Sequence, residues 1–489
     1  MSQGLSVMLL LVLATTPLQV GSKVFTESVV LGEVATRTLT AAGLPAVHRR
    51  ELGGTRILWE ALQRGELDVY PEYSGTLAEE IFSGQVPATL GPLGAALAKR
   101  GVRIAAVLGF ADSYALGMKA ATAEQLGIRR ISDLARHPEL RFAFSNEFLD
   151  RVDGWRALQK DYALPQADVR GMDHDLAYRG LASGALEVTD LYSTDAEVQL
   201  LGLRVLEDDR HHFPDYQALL LLREGAARPE VVAALSALKG RISAPEMVAM
   251  NARAKVGRVP EAQVAADFLQ GKGIDSGAPQ LPGRARRFLG YLQAHLVLVA
   301  VSLAGSVLVG LPLGILAARR PRLGQAVLAA VGVLQTLPSL ALLVLMIPLL
   351  GIGARPAIAA LFLYGLLPVV RNTHAGLTGI SGELQEAAEA LGVSSWERLL
   401  RIELPLASPS ILAGIQTSAV ICVGTATLGA LVGAGGFGQP ILTGIRLDNT
   451  GLLLEGAIPA ALLALAVQGC FEWLGRLVIP RGLRPGRPT

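Results

Sequence analysis

Four of the nine tyrosines stand where a chain of alternating strands and helices would place binding groups. They are Tyr73 in VYPEYSGT, Tyr114 in GFADSYALGMK, Tyr192 in VTDLYSTDAEV and Tyr216 in HHFPDYQALLLL, each beside an expected strand end or turn. Several tyrosine faces together attract a quaternary ammonium, a cation with no proton to donate, through cation–π interaction. Taken one at a time, the same residues read as ordinary half-buried aromatics. Arg151, in NEFLDRVDGW, can hold a carboxylate in its guanidinium fork, or can pair with Asp150 or Asp153 at the surface. Covalent chemistry has little support: His48, His137, His174, His211 and His212 form no H-E-x-x-H and no Ser/His/acid sequence motif. The adjacent His211 and His212 read as a polar loop rather than a metal site. Cys422 and Cys470 both lie in apolar runs of the second part, which leaves the first part without thiol or disulfide chemistry.

The elements that must position these side chains divide sharply by charge. Residues 1–283 carry 29 Lys and Arg against 34 Asp and Glu, whereas 284–489 carry 15 Arg, 8 acids and no Lys. The first part reads as an acidic soluble domain and the second as a basic membrane domain. Residues 1–19 hold an apolar stretch from Leu5 to Ala14 that suits an export signal or signal anchor, with a buried first strand as the alternative. From 20 to 270, strand-like runs (PLQVGSKV, GELDVY, VRIAAVLGF, LRFAFS, ALEVTDLYS, LRVLED) alternate with helical patterns, an α/β rhythm that puts ligands at strand ends. GKGIDSGAPQLPG opens a flexible linker over 271–287.

Five runs lack Asp, Glu, Lys and Arg: 288–318, 323–354, 356–370, 404–445 and 456–471. A membrane-crossing helix needs about 20 such residues, so five spans are expected within 288–478, followed by a tail over 479–489. The tail of the fourth run, GAGGFGQPILTGI, is expected to leave the membrane core as loop or re-entrant backbone. With the soluble domain outside, the inner segments hold ten Arg and the outer ones five, which favours that orientation. Arg284, Arg286 and Arg287 count against it.

Between the third and fourth spans lies EAAEALGVSSWERLLRIELP, a helix interrupted at Gly392 and resumed from a Ser394 or Ser395 cap. Its pattern allows Leu391, Trp396, Leu399, Leu400 and Ile402 to cover a partner while Glu386, Glu389, Glu397 and Arg398 face water. The segment, 383–405, resembles the EAA loop of ABC importer permeases, with Glu386, Ala387, Ala388, Gly392, Ile402, Leu404 and Pro405 at every named position. QTLPSLALLVLMIPLLGIG and FLYGLLPVVRNTHAGL narrow the resemblance to the betaine, carnitine and choline branch. It implies an all-α permease of five core transmembrane helices, a homodimer of this chain, and two copies of a cytoplasmic ATPase subunit. With no G-x-x-x-x-G-K-[ST] here, ATP and Mg belong to that partner, and this chain binds no cofactor or metal. No nucleic acid is expected; the partners are lipid, ATPase and a small ligand.

GSKVFTESVVLGE, PEYSGT, DLYSTDAEV and FPDYQALLLLR are similar to the osmoprotectant-binding proteins serving the same branch. This implies a two-lobed α/β periplasmic-binding-protein fold (type II) over 20–270, facing outward from the cytoplasmic membrane. In it Tyr73, Tyr114, Tyr192 and Tyr216 match an aromatic cage, and Lys23, Thr76 and Arg151 match polar positions at the ligand's other end. Asp215 departs from the family's usual proline. The implied activity is ATP-driven import of a solute such as glycine betaine or carnitine. Choline, ergothioneine and proline are alternative cargoes, and a ligand-gated osmosensor without net transport is an alternative role.

Overall fold

The run Ala218 to Leu222 is buried throughout, as a strand covered on both faces must be. In the computed structural model, which describes residues 16–213, 216–279, 282–447 and 449–480, this run lies inside a five-stranded sheet. Among the described residues ten strands occur in chain order: β1 (Leu18–Gly21), β2 (Ala46–Arg49), β3 (Val69–Tyr73), β4 (Val102–Ala111), β5 (Tyr114–Lys119), β6 (Phe142–Ser145), β7 (Val169–Met172), β8 (Thr189–Tyr192), β9 (Leu203–Val205) and β10 (Gln217–Arg223). The first sheet runs β2-β1-β3-β10-β4. The second contains β8-β5-β9, and a bridge between Phe142 and Val188 attaches the parallel pair β6-β7 to its β8 side. Only Asp112 and Ser113 carry the chain from β4 to β5, and the return enters β10 just after Tyr216. These two crossings join two α/β lobes.

Helix α1 (Thr26–Ala41) covers the first sheet with Val30, Leu31, Val34, Ala35 and Leu39, all buried in one hydrophobic core. Helix α2 (Ala244–Lys255) starts at a reciprocal cap between Ser243 and Glu246. Leu18 and Gln19, expected in the leader, belong to β1, where they pair with Ala46 and Val47. The rest of the expected leader, residues 1–15, lies outside the described residues, as do Asp215 and the tail 481–489.

The chain divides into two compact units, residues 1–280 and 281–489. In the second, α3 (Arg284–Arg319), α4 (Pro321–Thr336), α5 (Ser339–Leu350), α6 (Ala354–Thr378), α7 (Gly382–Ala390), α8 (Leu404–Thr425), α9 (Gly438–Arg446) and α10 (Thr450–Val478) follow. Arg284 to Arg287, expected in the linker, are already helical. Among the described residues, four helical stretches are long and apolar enough to cross a membrane: α3, α6, Ser395–Val432 and α10. The run at 323–354, expected as one span, forms α4 and α5 meeting at 99°, a bent pair that makes the fifth span if it crosses as one. Pro338 excludes its predecessor from helical geometry, and Leu337 is extended at ψ 134°. The Tyr364 hydroxyl donates to the freed Leu337 carbonyl, as hydrocarbon surroundings require.

Small residues let these helices approach closely. A Cβ on Gly314 would stand 2.5 Å from Thr373 Cβ, and one on Gly414 would stand 2.6 Å from the Pro368 carbonyl oxygen. Ser302 and Ser306 of α3 donate to the Ile358 and Phe362 carbonyls of α6, at 3.1 and 2.9 Å. Beyond α8 the backbone turns through Gly433, Gly435 and Gly436, all at positive φ, into α9. Buried His295 ties this turn down: its Nδ1 accepts from the Phe437 N–H at 3.3 Å, and its Nε2 lies 3.0 Å from the Val423 carbonyl oxygen. That pattern needs a neutral ring protonated on Nε2.

Candidate binding cleft and coupling elbow

Strand register brings the tyrosines together. In the antiparallel pair β5–β8, Tyr114 stands directly opposite Tyr192, so their side chains share a face, with ring centroids 4.9 Å apart and hydroxyls 3.1 Å apart. In the pair β3–β10, Tyr73 stands opposite Ala218, which sets Tyr216 just beyond the end of β3. The Tyr216 ring meets Tyr114 edge-on at 5.9 Å. Phe25 completes the set, 5.9 Å from Tyr192 and 6.4 Å from Tyr73. The four tyrosines therefore lie at strand ends of both lobes, around the two crossings, and Phe25 is a fifth aromatic that the sequence reading did not single out.

Each polar candidate is buried, and both cations already have partners within the protein. Arg151 is no surface group: its Nε and Nη2 lie 2.8 Å from the two carboxylate oxygens of Asp153, its Nη1 is 2.8 Å from Glu80, and Nη2 also donates to the Tyr216 hydroxyl at 3.0 Å. Its guanidinium stands 4.9 Å from the Tyr114 ring centroid and 5.6 Å from that of Tyr216. The Tyr216 hydroxyl donates to the same Asp153. His212 closes round this group, its Nε2 3.0 Å from the Asp153 carbonyl oxygen and its Nδ1 2.7 Å from Asp161. Lys23 donates to Glu72 at 2.5 Å and Thr55 at 2.8 Å, and stands 5.6 Å from the Tyr73 centroid. Thr76 closes the short helical turn that follows Tyr73. In that turn Gly75 lies under the Tyr216 ring, where a Cβ would come within 2.6 Å of ring carbons.

The surroundings are acidic. Glu27 accepts from the Tyr73 hydroxyl at 2.6 Å, from Thr194 Oγ1, and from Asn251 Nδ2 at 2.9 Å. Burial pushes its carboxyl up to about 7 against those three hydrogen bonds. Asp112, in the first crossing, is held well above the usual carboxylate range by burial and then by the charge of Glu27. His174 lies behind Tyr192, ring centroids 4.7 Å apart, with Nε2 3.1 Å from Asp195 and Nδ1 3.7 Å from Asp190. Burial opposes its charge, yet the two aspartates hold its pKa well above the ordinary histidine value. Aromatic faces gathered in this way can attract an organic cation. Glu27, Asp112 and Gly75 are not singled out by sequence, although GSKVFTESVVLGE, GFADSYALGMK and PEYSGT contain them, and His174 stands out there only as a histidine without a catalytic motif. Among the described residues no His, Cys, Asp and Glu group could hold a metal ion.

The elbow holds Glu386, Ala387 and Ala388 on α7, which ends before Gly392 at φ +72°. Ser394 then caps a helix from Ser395, its hydroxyl accepting from the Glu397 N–H, and a π-helical turn over Leu399–Glu403, containing Ile402, leads into α8 at Leu404 and Pro405. Leu391 is 82% and Trp396 67% exposed, while Leu399 is buried. Arg398, expected to face water, is instead half-buried between Glu389 at 2.5 Å and Glu403 at 3.0 Å. Glu403 also holds Arg319, at the end of α3, at 2.7 Å. The elbow is thereby fixed to the helical bundle while Leu391 and Trp396 project.

Comparison with known proteins places these two constructions. Residues 16–271 match the family described as the substrate binding domain of ABC-type glycine betaine transport systems, and 310–483 match the binding-protein-dependent transport system inner membrane component. The permease protein OpuCB of a glycine betaine/carnitine/choline transport system from Bacillus subtilis (strain 168) is 40% identical over 190 residues, covering 39% of this chain and 88% of that one. The osmoprotectant import permease OsmY of Salmonella typhimurium is 43% identical over 215 residues, covering 44% and 89%. A solved structure described as a glycine betaine/carnitine/choline ABC transporter is 26% identical, covering 53% of this chain and 99% of that one, with a TM-score of 0.46.

Proposed function

Because this chain belongs to the family of ABC-type glycine betaine transport receptors, joined here to a binding-protein-dependent permease, we propose that it captures a quaternary-ammonium solute and passes it through its own membrane domain. The convergence of Tyr73, Tyr114, Tyr192 and Tyr216 on the two lobe crossings carries this reading. Cation–π attraction is worth roughly 0.5–1 kcal/mol at exposed sites and about 2 kcal/mol or more where water is excluded, so a cage of buried rings suffices for selective binding.

Lys23, Thr76 and Arg151 serve the ligand's other end. For Arg151 to take a ligand carboxylate it must yield part of its fork with Asp153 or its contact with Glu80. Betaine and carnitine therefore compete with an internal carboxylate, and choline does not.

In this reading the receptor, 20–270, faces outward, the linker ends where α3 begins, and the permease works as a homodimer in the cytoplasmic membrane. Glu386, Ala387, Ala388, Gly392, Ile402, Leu404 and Pro405 shape the elbow that a separate ATPase subunit engages through the exposed Leu391 and Trp396. ATP and Mg act on that subunit, and this chain performs no covalent chemistry. Proteoliposomes containing the chain and its ATPase are the test. ATP-dependent accumulation of labelled betaine, carnitine or choline is expected; ligand binding without accumulation would leave a sensor rather than an importer.

A further inference from the structure

Tyr73 reaches the second lobe through a single carboxylate. Glu27 stands in the first turn of α1 and is 4% exposed. One of its oxygens accepts from the Tyr73 hydroxyl of β3; the other accepts from the Thr194 hydroxyl, just past β8 in the other lobe, and from Asn251 of α2. Asn251 Nδ2 also donates to the Thr194 carbonyl at 3.1 Å, so both ends of Thr194 are held from the first lobe. Three donors and no acceptor converge on Glu27, an arrangement that suits the ionised carboxylate it forms above about pH 7. Asp195 adds negative charge nearby, and the Lys23 ammonium stands 5.6 Å from the Tyr73 ring centroid.

A phenol that donates to a carboxylate gains electron density, because hydrogen-bonded groups polarise one another in a low-dielectric interior. The Tyr73 face thereby becomes more attractive to a cation but no more attractive to a neutral group of the same shape. We propose that Glu27 is the positioning residue that makes the cage read charge, fastening Tyr73 to Thr194 across the cleft and supplying the negative field behind the ring.

This inference rests on the cleft binding a quaternary ammonium, and its test separates the two. Dissociation constants of the full chain in nanodiscs are measured for choline and for its neutral isostere 3,3-dimethyl-1-butanol. Glu27→Gln is expected to weaken choline about tenfold or more, equivalent to about 1.4 kcal/mol, with less than a twofold change for the alcohol, and Glu27→Asp should restore part of the loss. Parallel weakening of both ligands, or no change in either, overturns the proposal. Should the wild-type chain bind neither compound, the receptor reading fails, and amide hydrogen exchange of the ligand-free chain decides the fastening role. Lost protection around Thr194 in Glu27→Gln supports it; unaltered protection removes it.

Discussion

The guanidinium of Arg151 lies 4.9 Å from the ring centroid of Tyr114, so one face of the aromatic cluster already carries a cation supplied by the protein itself. Asp153 holds that cation by a two-point fork. In the proposed reading, ligand choice is a contest between this internal carboxylate and the ligand's own.

Asp153→Asn should tilt that contest. With the fork weakened, Arg151 is freer to meet a ligand carboxylate, so the affinity for betaine relative to choline should rise about threefold or more, within the range of one charged hydrogen bond. Calorimetry of residues 16–280 with both ligands measures the ratio. A fixed ratio would mean that Arg151 does not reach the ligand's carboxylate.

Tyr192→Ala and Tyr216→Ala each remove one aromatic face. Losing about 0.7–2 kcal/mol of cation–π attraction weakens a trimethylammonium ligand by roughly 3- to 30-fold. Dissociation constants equal to wild type would reject the cage assignment.

Gly75→Ala acts on the same cage without touching a ring. Its new methyl would stand 2.6 Å from the Tyr216 ring, and overpacking of this kind costs about 1–3 kcal/mol. The expected result is a folded domain with a displaced Tyr216 and weaker ligand binding, seen in a crystal structure and a titration of the variant. An undisturbed ring with native affinity would contradict it.

His174 predicts a pH signature. Its folded pKa lies above the ordinary 6.5, held there by Asp190 and Asp195. The stability it contributes is therefore fully present below about pH 6.5 and lost as pH rises through the folded value. The melting temperature of residues 16–280 should fall on the alkaline side, and His174→Gln should flatten that limb. Identical alkaline limbs would exclude the linkage.

At the elbow, Leu391→Ser and Trp396→Ala remove apolar surface that the chain leaves exposed. ATP-dependent uptake should drop several-fold while the receptor's ligand affinity stays unchanged, since the substitutions lie in the other compact unit. Full uptake by both variants would place ATPase docking elsewhere.

The sequence by itself determined the division into an acidic α/β part and a basic apolar part, because burial in protein and burial in lipid select different periodicities and charge patterns. It also marked the interrupted elbow, since a Gly at positive φ and a Ser cap are local events legible over a few residues. The alternating runs found β1, β3, β4, β6, β8 and β9; β2 and β7, short and partly exposed, carried little signal, and β5 and β10 were marked only by Tyr114 and Tyr216 at their starts. Tertiary structure alone decided that Arg151 is forked to Asp153 and also pairs with Glu80, 71 positions away in the chain, that Arg398 is tucked between two glutamates, and that the run holding α4 and α5 is bent by 99° at Pro338. The Glu27 junction joins residues up to 224 positions apart. Composition and spacing record what each residue can do locally; which carboxylate meets which cation depends on sheet register and lobe crossings, and those are set by the packing of the whole chain.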